Sequence, residues 1–336
     1  MPLLEFTDVG IYCPKADVYI DPWKPVHKAL ITHGHSDHAR WGHQYYMATH
    51  EAVPVIRYRL GKINIHGVAY GQSILINGVK ISFHPAGHIP GSAQIRVEYK
   101  GEVWVASGDY KVEDDGLAEA FEPLQCHSFI TESTFGLPIF DWKPQAQTLN
   151  EINSWWAQNA SEGKVSILSA YSLGKAQRII NSVRQDLGTI FTHGAVENTN
   201  QVLRDQGYNI APTTLVNKEH KPSDFEGSLV IAPPSAIGSS WSKRFKSTSI
   251  AFASGWMAMR GTRRRRAADR GFILSDHADW KGLNSAIAET GAENIFVTHG
   301  YTDTFTRWLR EKGYNAHVVS TEYTGEDLDS TEEVAA

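Results

Sequence analysis

The sequence has little cysteine and no long hydrophobic run. Its 336 residues include two cysteines, Cys13 and Cys126, which are too few for the disulfide framework of a small secreted domain. No apolar stretch approaches the roughly 18–20 residues of a membrane span. The N-terminus, MPLLEFTDVG, lacks the basic and apolar segments of a signal peptide. We therefore expect a cytoplasmic protein without a membrane partner.

The composition is that of a globular protein. Hydrophobic residues make up 41% of the chain, with 28 glycines and 14 prolines. A chain of this length holds two domains or one large one.

Charge is distributed unevenly along the chain. Residues 240–270 contain nine basic residues and one acidic residue, although the net charge of the whole chain is −5. This basic segment includes Arg263 and Arg264 and predicts an anionic partner at one place; a solvated arginine-rich helix or loop is the alternative. Residues 320–336 contain six acidic residues and no basic residue, so we expect an acidic, disordered tail over 321–336.

Two hydrophobic patterns divide the chain. Short strands come first, with hairpins predicted at Asn77-Gly78 and Lys100-Gly101. Alternating helices and strands follow. After residue 271 the pattern of the first part returns, with strands that each end at a histidine. The pattern predicts a β-rich domain over 1–145 and 271–320, with a βα domain over 146–270 inserted into it.

The segment ITHGHSDHAR, residues 31–40, indicates a metal site. His33, His35, Asp37 and His38 directly follow an apolar run. Neither a hydrophobic core nor a solvated surface explains three histidines and one aspartate within six residues. Zinc, in contrast, is bound by imidazole and carboxylate groups. Four such groups exceed what one tetrahedral zinc ion takes from a single turn. Two adjacent metal ions are therefore the economical interpretation.

Further candidate ligands lie at the ends of other predicted strands. They are His88 in PAGHIPGS, Asp109 in ASGDYK, Glu132 in ITEST, His277 in LSDHAD and His299 in FVTHGY. The glycines beside His88 allow close approach of the backbone, and a carboxylate at Asp109 could bridge two cations. A lone histidine is more often a hydrogen-bonded structural residue than a ligand. The ligand-rich segment at residues 31–40 is what makes these other positions candidate ligands.

The order of these motifs resembles that of a known superfamily. T-H-x-H-x-D-H, G-H-x-x-G-S and S-G-D follow one another as in the metallo-β-lactamase superfamily of αββα hydrolases. Glu132, His277 in S-D-H-A-D and His299 in T-H-G resemble the additional motifs of the β-CASP nucleases. The resemblance covers the chain apart from its acidic tail. It implies an α/β fold, in which an αββα sandwich carries an inserted βα domain.

The resemblance also implies which residues bind metal. One ion would be held by His33, His35 and His88, and the other by Asp37, His38 and His299, with Asp109 bridging the two ions. The implied cofactor is a pair of Zn²⁺ ions, with Mn²⁺ as an alternative in activity.

Four residues would take part in catalysis on the same grounds: Asp37, Asp109, Glu132 and His277. Glu132 would position His277, which would contact the scissile phosphate or protonate the leaving oxygen. Asp21 would orient groups behind the ligands.

The resemblance implies a nuclease. The segments IDPWKPVHKALITHGHSDHAR and SGWMAMRGTRRRRAADRGFILSDHADW are similar to those of bacterial exonucleases encoded beside ATP-dependent DNA ligases. We therefore expect a 5′ to 3′ DNA exonuclease of DNA repair, with a functional link to such a ligase. An RNA-processing nuclease is the alternative, because a histidine at position 299 goes with the RNA-processing members of the family.

Two other classes of protein fit the sequence less well. A small-molecule hydrolase of the lactamase or thioesterase type would need only the motifs of the first half. A nucleic-acid-binding scaffold without activity should have lost ligands, and none is missing.

Two loops of the inserted domain are candidate nucleic-acid contacts. A helix predicted to begin near Ser172 would bind a phosphate through Ser169, Ser172 and Lys175 at its N-terminus; an ordinary serine cap with a solvated lysine is the alternative. The loop over 233–244 offers Ser239 and Ser240, and its tryptophan either stacks on a base or packs between domains.

Overall fold

The computed structural model describes residues 2–259, 261 and 268–323. Arg263, Arg264 and nearly all of the predicted acidic tail lie outside these residues. The described chain forms two compact units: the first unit comprises residues 2–141 and 276–323, and the second unit comprises residues 142–275. No helix within the described ranges is long and apolar enough to cross a membrane.

Two sheets form the first unit. One has six strands in sequence order, which are β1 (Glu5–Phe6), β2 (Ile11–Cys13), β3 (Val18–Ile20), β4 (Lys28–Leu30), β5 (Tyr45–Thr49) and β6 (Ile65–Val68). The other has seven strands in the order β19-β18-β11-β10-β9-β8-β7. These are β7 (Ile74–Ile76), β8 (Val79–Pro85), β9 (Ala93–Tyr99), β10 (Glu102–Ala106), β11 (Ser128–Ser133), β18 (Asn294–Gly300) and β19 (Asn315–Val318).

The buried faces of these sheets define four layers. Ile20 and Leu30 of the first sheet share a core with Phe83 and Ile95 of the second, so the two sheets pack face to face. The outer face of the first sheet packs on α1 (Val53–Leu60). The outer face of the second packs on two further helices, Trp280–Thr290 and Thr302–Glu311. The layer order is therefore αββα, as predicted.

Residue alternation along the central strands explains this arrangement. Side chains of successive strand residues point to opposite faces. In β10, Trp104 and Ala106 face the core between the sheets, whereas Val103 and Val105 face the helices. A strand covered on both faces reads as a continuous apolar run.

The two hairpins predicted from glycine turns are confirmed. Ile76 pairs with Val79 across Asn77-Gly78, and Tyr99 pairs with Glu102 across Lys100-Gly101. All four turn residues have positive φ, as a tight two-residue hairpin turn requires.

The second unit is a parallel α/β structure. Its sheet runs in the order β14-β13-β15-β12-β16-β17, and every pairing is parallel. The strands are β12 (Val165–Ser169), β13 (Ile190–Thr192), β14 (Thr214–Leu215), β15 (Leu229–Ala232), β16 (Thr248–Ala253) and β17 (Arg270–Phe272). Its helices are α2 (Gln145–Ser161), α3 (Lys175–Ser182) and α4 (Gly194–Asp205). The two C-terminal helices of the first unit are α5 (Trp280–Thr290) and α6 (Thr302–Glu311).

One helix boundary differs from the sequence prediction. Helix α3 begins at Lys175, not near Ser172, with Gly174 as its cap at φ 93°. The backbone N–H of Gly174 donates to Oε1 of Gln177 at 2.8 Å. The left-handed conformation that this glycine adopts disfavours other residues, and it delays the start of the helix.

Candidate metal centre

The ligand-rich segment leaves the first sheet directly after β4. The backbone N–H of Ile31 still bonds to Met47 of the neighbouring strand at 2.8 Å, and the chain then turns, with Ala39 N–H donating to the carbonyl of His35 at 2.8 Å. His33 and His38 are fully buried. The turn therefore places imidazoles in the interior, at the end of the sandwich.

Asp109 lies between two groups of histidines. Its Oδ2 is 3.6 Å from Nε2 of His33 and 3.8 Å from Nε2 of His88, whereas its Oδ1 is 3.5 Å from Nε2 of His38 and 3.0 Å from Nε2 of His299. Each oxygen of one carboxylate thus faces a different pair of imidazoles. This is the arrangement of a carboxylate that can bridge two cations.

Nearly all of the predicted ligands come together in two sets whose ligand atoms lie within 4.8 Å of one another. One set is His33, His35, His88 and Asp109, and the other is His38, Asp109 and His299. We call the histidines of these sets the first ligand group (His33, His35, His88) and the second ligand group (His38, His299). Asp37 stands beside the second group, with Oδ2 at 3.7 Å from Nε2 of His38.

Several inward atoms of these residues have no hydrogen-bonding partner among the described residues. They are Nε2 of His33, His38 and His299 and Oδ1 of Asp109; the 3.0 Å approach of the last two is not a well-directed hydrogen bond. Buried polar atoms are nearly always satisfied, and metal binding is one way to satisfy them. A donor set of imidazole and carboxylate suits zinc and similar divalent ions. The residues therefore fit a metal centre.

The electrostatics differ between the two groups. Burial lowers the pKa of His33 and of His88 well below the ordinary value for histidine, which favours the neutral form that binds metal. Burial acts on His38 in the same direction, but Asp109, Asp37 and Asp21 outweigh it and raise the pKa of His38 to about 10. Positive charge is therefore favoured beside the second group.

Asp21 holds the ligand turn from behind. Its carboxylate accepts hydrogen bonds from the backbone N–H of Thr32 at 2.8 Å and from the Thr32 hydroxyl at 2.5 Å, and it bonds to Nδ1 of His38 at 2.8 Å. A carboxylate on Nδ1 directs Nε2 of the ring toward a metal. Asp21 thus lies behind the ligand turn and contacts both Thr32 and His38.

Glycines bring His88 into place. Gly87 has φ 74°, and a Cβ there would lie 2.1 Å from the carbonyl oxygen of Lys111; Gly91 has φ 83°, and a Cβ there would lie 2.5 Å from the backbone nitrogen of Ala52. Both positions therefore require glycine. Nδ1 of His88 is 2.8 Å from the carbonyl of Asp276, a backbone contact that orients the ring.

Glu132 and His277 form a buried pair next to Asp109. Both carboxylate oxygens of Glu132 approach Nδ1 of His277, at 2.9 and 2.8 Å. Glu132 also accepts the backbone N–H of Tyr110 at 2.8 Å. Ligand atoms of Asp109, Glu132 and His277 lie within 4.8 Å of one another, but the contacts of Glu132 are those of a residue that holds the imidazole.

The predicted nucleic-acid contacts that the structure describes differ in their exposure. Ser169, Ser172 and Lys175 are buried, and Lys175 Nζ lies 5.1 Å from the ring centre of Tyr171. The Ser239 hydroxyl donates to Ala236 within its own loop, and Ser240 is exposed. The tryptophan of that loop packs within the second unit, 5.1 Å from Phe245 and 4.8 Å from His193 between ring centres.

Tyr323 is a residue of this region that the sequence did not reveal. Its ring stacks on His38 with centroids 4.4 Å apart. It lies in the segment interpreted as a disordered tail, outside every motif, so no pattern in the sequence indicates it.

Two known proteins to which the chain is similar are named as nucleic-acid enzymes. It is 29% identical over 314 residues, 92% of its length, to a protein named probable DNA ligase from Opitutus terrae, of which it covers 30%. It is 30% identical over 118 residues, 34% of its length, to endoribonuclease YSH1 from Saccharomyces cerevisiae, of which it covers 15%. The chain thus spans less than a third of the length of either relative.

A solved structure of low sequence identity shares the fold. A protein of unknown function from Enterococcus faecalis V583 aligns over 83% of this chain and 76% of its own, with a TM-score of 0.59 and 11% identity. No family model matches the sequence.

Proposed function

Because the chain belongs to the metallo-β-lactamase superfamily and, within it, to the β-CASP family, we propose that it is a metal-dependent nuclease that hydrolyses phosphodiester bonds. One observation carries this proposal most directly: the carboxylate of Asp109 presents one oxygen to each of two buried histidine groups. Two-metal hydrolases of phosphate esters use such a bridge.

Two Zn²⁺ ions are the proposed cofactor, with Mn²⁺ able to replace them in activity. The first ligand group with Asp109 would hold one ion, and the second ligand group with Asp37 and Asp109 would hold the other. When bound, such ions stabilise the charge that develops on a phosphate under attack and supply a nucleophile at neutral pH. The chain itself needs no nucleophilic side chain. Burial raises the pKa of both cysteines, that of Cys126 to about 12, which disfavours the thiolate.

His277 is the proposed acid for the leaving oxygen. Glu132 holds its Nδ1, so Nε2 is the nitrogen that would exchange a proton with the substrate. The ring also lies 4.6 Å from that of His88, which places it beside the first ligand group. The scissile phosphate would bind to the metal ions held by Asp109, with His277 beside it.

DNA is the favoured substrate. The relative named for DNA ligation matches 92% of this chain, whereas the endoribonuclease matches 34%. We propose a 5′ to 3′ DNA exonuclease of cytoplasmic DNA repair, linked in function to an ATP-dependent DNA ligase. The second unit would serve as the inserted β-CASP domain. Its proposed phosphate and nucleic-acid contacts remain Ser169, Ser172, Lys175, Ser239, Ser240, Arg263 and Arg264.

RNA is the alternative substrate, and two observations favour it. The endoribonuclease relative is an RNA enzyme by name, and His299 lies against Asp109 at 3.0 Å, as an RNA-type ligand set implies.

A single assay tests the substrate and the need for metal. Matched DNA and RNA strands, labelled at either end and with or without a 5′-phosphate, are incubated with purified protein and Zn²⁺ or Mn²⁺. Asp109→Ala serves as the inactive variant. Asp8→Ala is its matched control, because that carboxylate is exposed and pairs with Lys24 on the surface.

We expect stepwise shortening of DNA from its 5′ end by the unaltered protein and by Asp8→Ala, but not by Asp109→Ala. Cleavage of RNA alone would favour the alternative. If neither strand is cut with either metal, the proposed function is wrong.

A further inference from the structure

Tyr323 contacts both histidines of the second ligand group. Its ring stacks on His38, with centroids 4.4 Å apart and planes 13° apart, and meets the ring of His299 edge-on at 5.7 Å. The side chain is buried, and Trp23 packs edge-on against it at 5.5 Å. One aromatic ring therefore restricts the orientation of both imidazoles.

The Tyr323 hydroxyl reaches the residue that orients His38. It donates a hydrogen bond to the backbone carbonyl of Asp21 at 3.0 Å, and the Asp21 carboxylate bonds to Nδ1 of His38 at 2.8 Å. Burial raises the pKa of Tyr323 well above its ordinary value, so the hydroxyl remains a donor. Tyr323 thus supports the face of the His38 ring and also the group that holds its edge.

Arg40 fastens the segment that carries Tyr323. Its Nη2 donates to the carbonyl of Glu322 at 2.6 Å, and its Nε donates to the carbonyl of Asp37 at 3.2 Å. The segment after β19 is therefore tied to the ligand turn itself. A small cavity beside the second group has Asp21, His38, His299 and Tyr323 in its wall, so removal of the phenol would enlarge it.

We infer that Tyr323 is a positioning residue for the second ligand group, and that this half of the metal centre is complete only when the segment through Tyr323 is folded against it. The inference rests on the proposed function, because it takes His38 and His299 as metal ligands. Tyr323 lies outside every sequence motif. If the inference holds, substitution of Tyr323 changes the metal affinity of one half of the centre and leaves that of the other half unchanged.

The test measures metal binding by itself. The unaltered protein, Tyr323→Leu and Tyr323→Phe are titrated with Zn²⁺ against a chromophoric chelator, and the visible spectrum of the Co²⁺-loaded protein is recorded. Tyr314→Leu is the matched control, because the half-buried Tyr314 packs against the core between the second sheet and its helices. Circular dichroism checks that each variant folds.

We expect Tyr323→Leu to weaken one of two bound ions about 10-fold to 100-fold, the usual effect of removing a group that supports a ligand, and to change the Co²⁺ spectrum. The other ion should bind as before. Tyr323→Phe keeps the ring and should retain part of the lost affinity, whereas Tyr314→Leu should bind both ions normally.

The outcomes separate this inference from the proposed function. If the unaltered protein binds no metal, both are wrong. If it binds two ions and Tyr323→Leu binds both with unchanged affinity and spectrum, the inference alone is overturned. Should Tyr323→Leu fail to fold, Tyr323→Phe decides, and unchanged affinity in that variant overturns the inference.

Discussion

The two ligand groups that meet at Asp109 are supported in different ways. In the first group, His88 is set by the backbone: it lies between glycines that no other residue could replace, and its Nδ1 contacts a backbone carbonyl. The second group is set by side chains, since Asp21 holds the edge of His38 and Tyr323 covers its face.

The two ligand groups also differ in the charge that their surroundings favour. Burial keeps His33 and His88 in the neutral form, whereas the carboxylates near His38 favour a positive charge beside it. The first half of the centre therefore contains two buried histidines whose neutral form is favoured. The second half is a negatively charged site whose ligands come from both ends of the sequence.

Replacement of Asp109 should have the largest effect, because among the described residues Asp109 alone lies with both ligand groups. We expect Asp109→Ala to lower kcat/KM at least about 10³-fold, since several kcal/mol of charge stabilisation are lost, and to weaken both ions. Hydrolysis rates and equilibrium dialysis check this. An active Asp109→Ala protein would show that the two halves work separately.

Loss of one ligand from each half should separate the two halves. We expect His88→Ala and His299→Ala each to retain about one ion and to lose about 10²-fold or more in rate, because one cation no longer stabilises the reacting phosphate. Metal analysis after gel filtration gives the count. His66→Ala, at an exposed position, should match the unaltered protein, and two ions retained in either ligand variant would contradict the division.

Replacement of His277 should lower the rate without loss of metal. We expect His277→Gln to lower kcat about 10²-fold, the lower range for general acid catalysis, and to keep both ions, because Glu132 holds His277 by hydrogen bonds. Steady-state kinetics and metal analysis of the same preparation test this. If His277→Gln loses an ion, then Asp109, Glu132 and His277 themselves bind a metal.

The smallest expected effect concerns His43, a buried histidine that belongs to neither ligand group. Burial lowers its pKa to about 4 in the folded protein, against an ordinary 6.5. Below pH 6.5 the unfolded chain therefore binds more protons, so the stability contributed by the neutral ring is complete above that pH and is lost toward pH 4.

Relative to His43→Gln, the free energy of unfolding should fall by about 1–2 kcal/mol over this range, after allowance for partial exposure. Urea titrations at several pH values measure the difference. Because both proteins share all other histidines, parallel curves would show that His43 is not the group that titrates.

Sequence patterns foretold the parts of this molecule that depend on local chemistry. The Asn77-Gly78 hairpin follows from residues that accept positive φ, and the ligand turn follows from a residue order that packing does not produce. Motif order also led to His299, although only the fold brings it to Asp109.

Residues that act through distant packing were not predictable in this way. Tyr323 is one tyrosine in an acidic segment, and its role depends on how the chain returns after β19. The start of α3 was misplaced because serine and lysine suggested a cap near Ser172, whereas Gly174 with its positive φ ends the preceding loop.

Anomalous diffraction from crystals of the protein grown with Zn²⁺ tests the central claim most directly. We predict two zinc peaks about 3.5–4 Å apart, one at Oδ2 of Asp109 with His33 and His88, and the other at Oδ1 with His38 and His299. A single peak, or two peaks that do not share Asp109, would contradict the proposed two-metal centre.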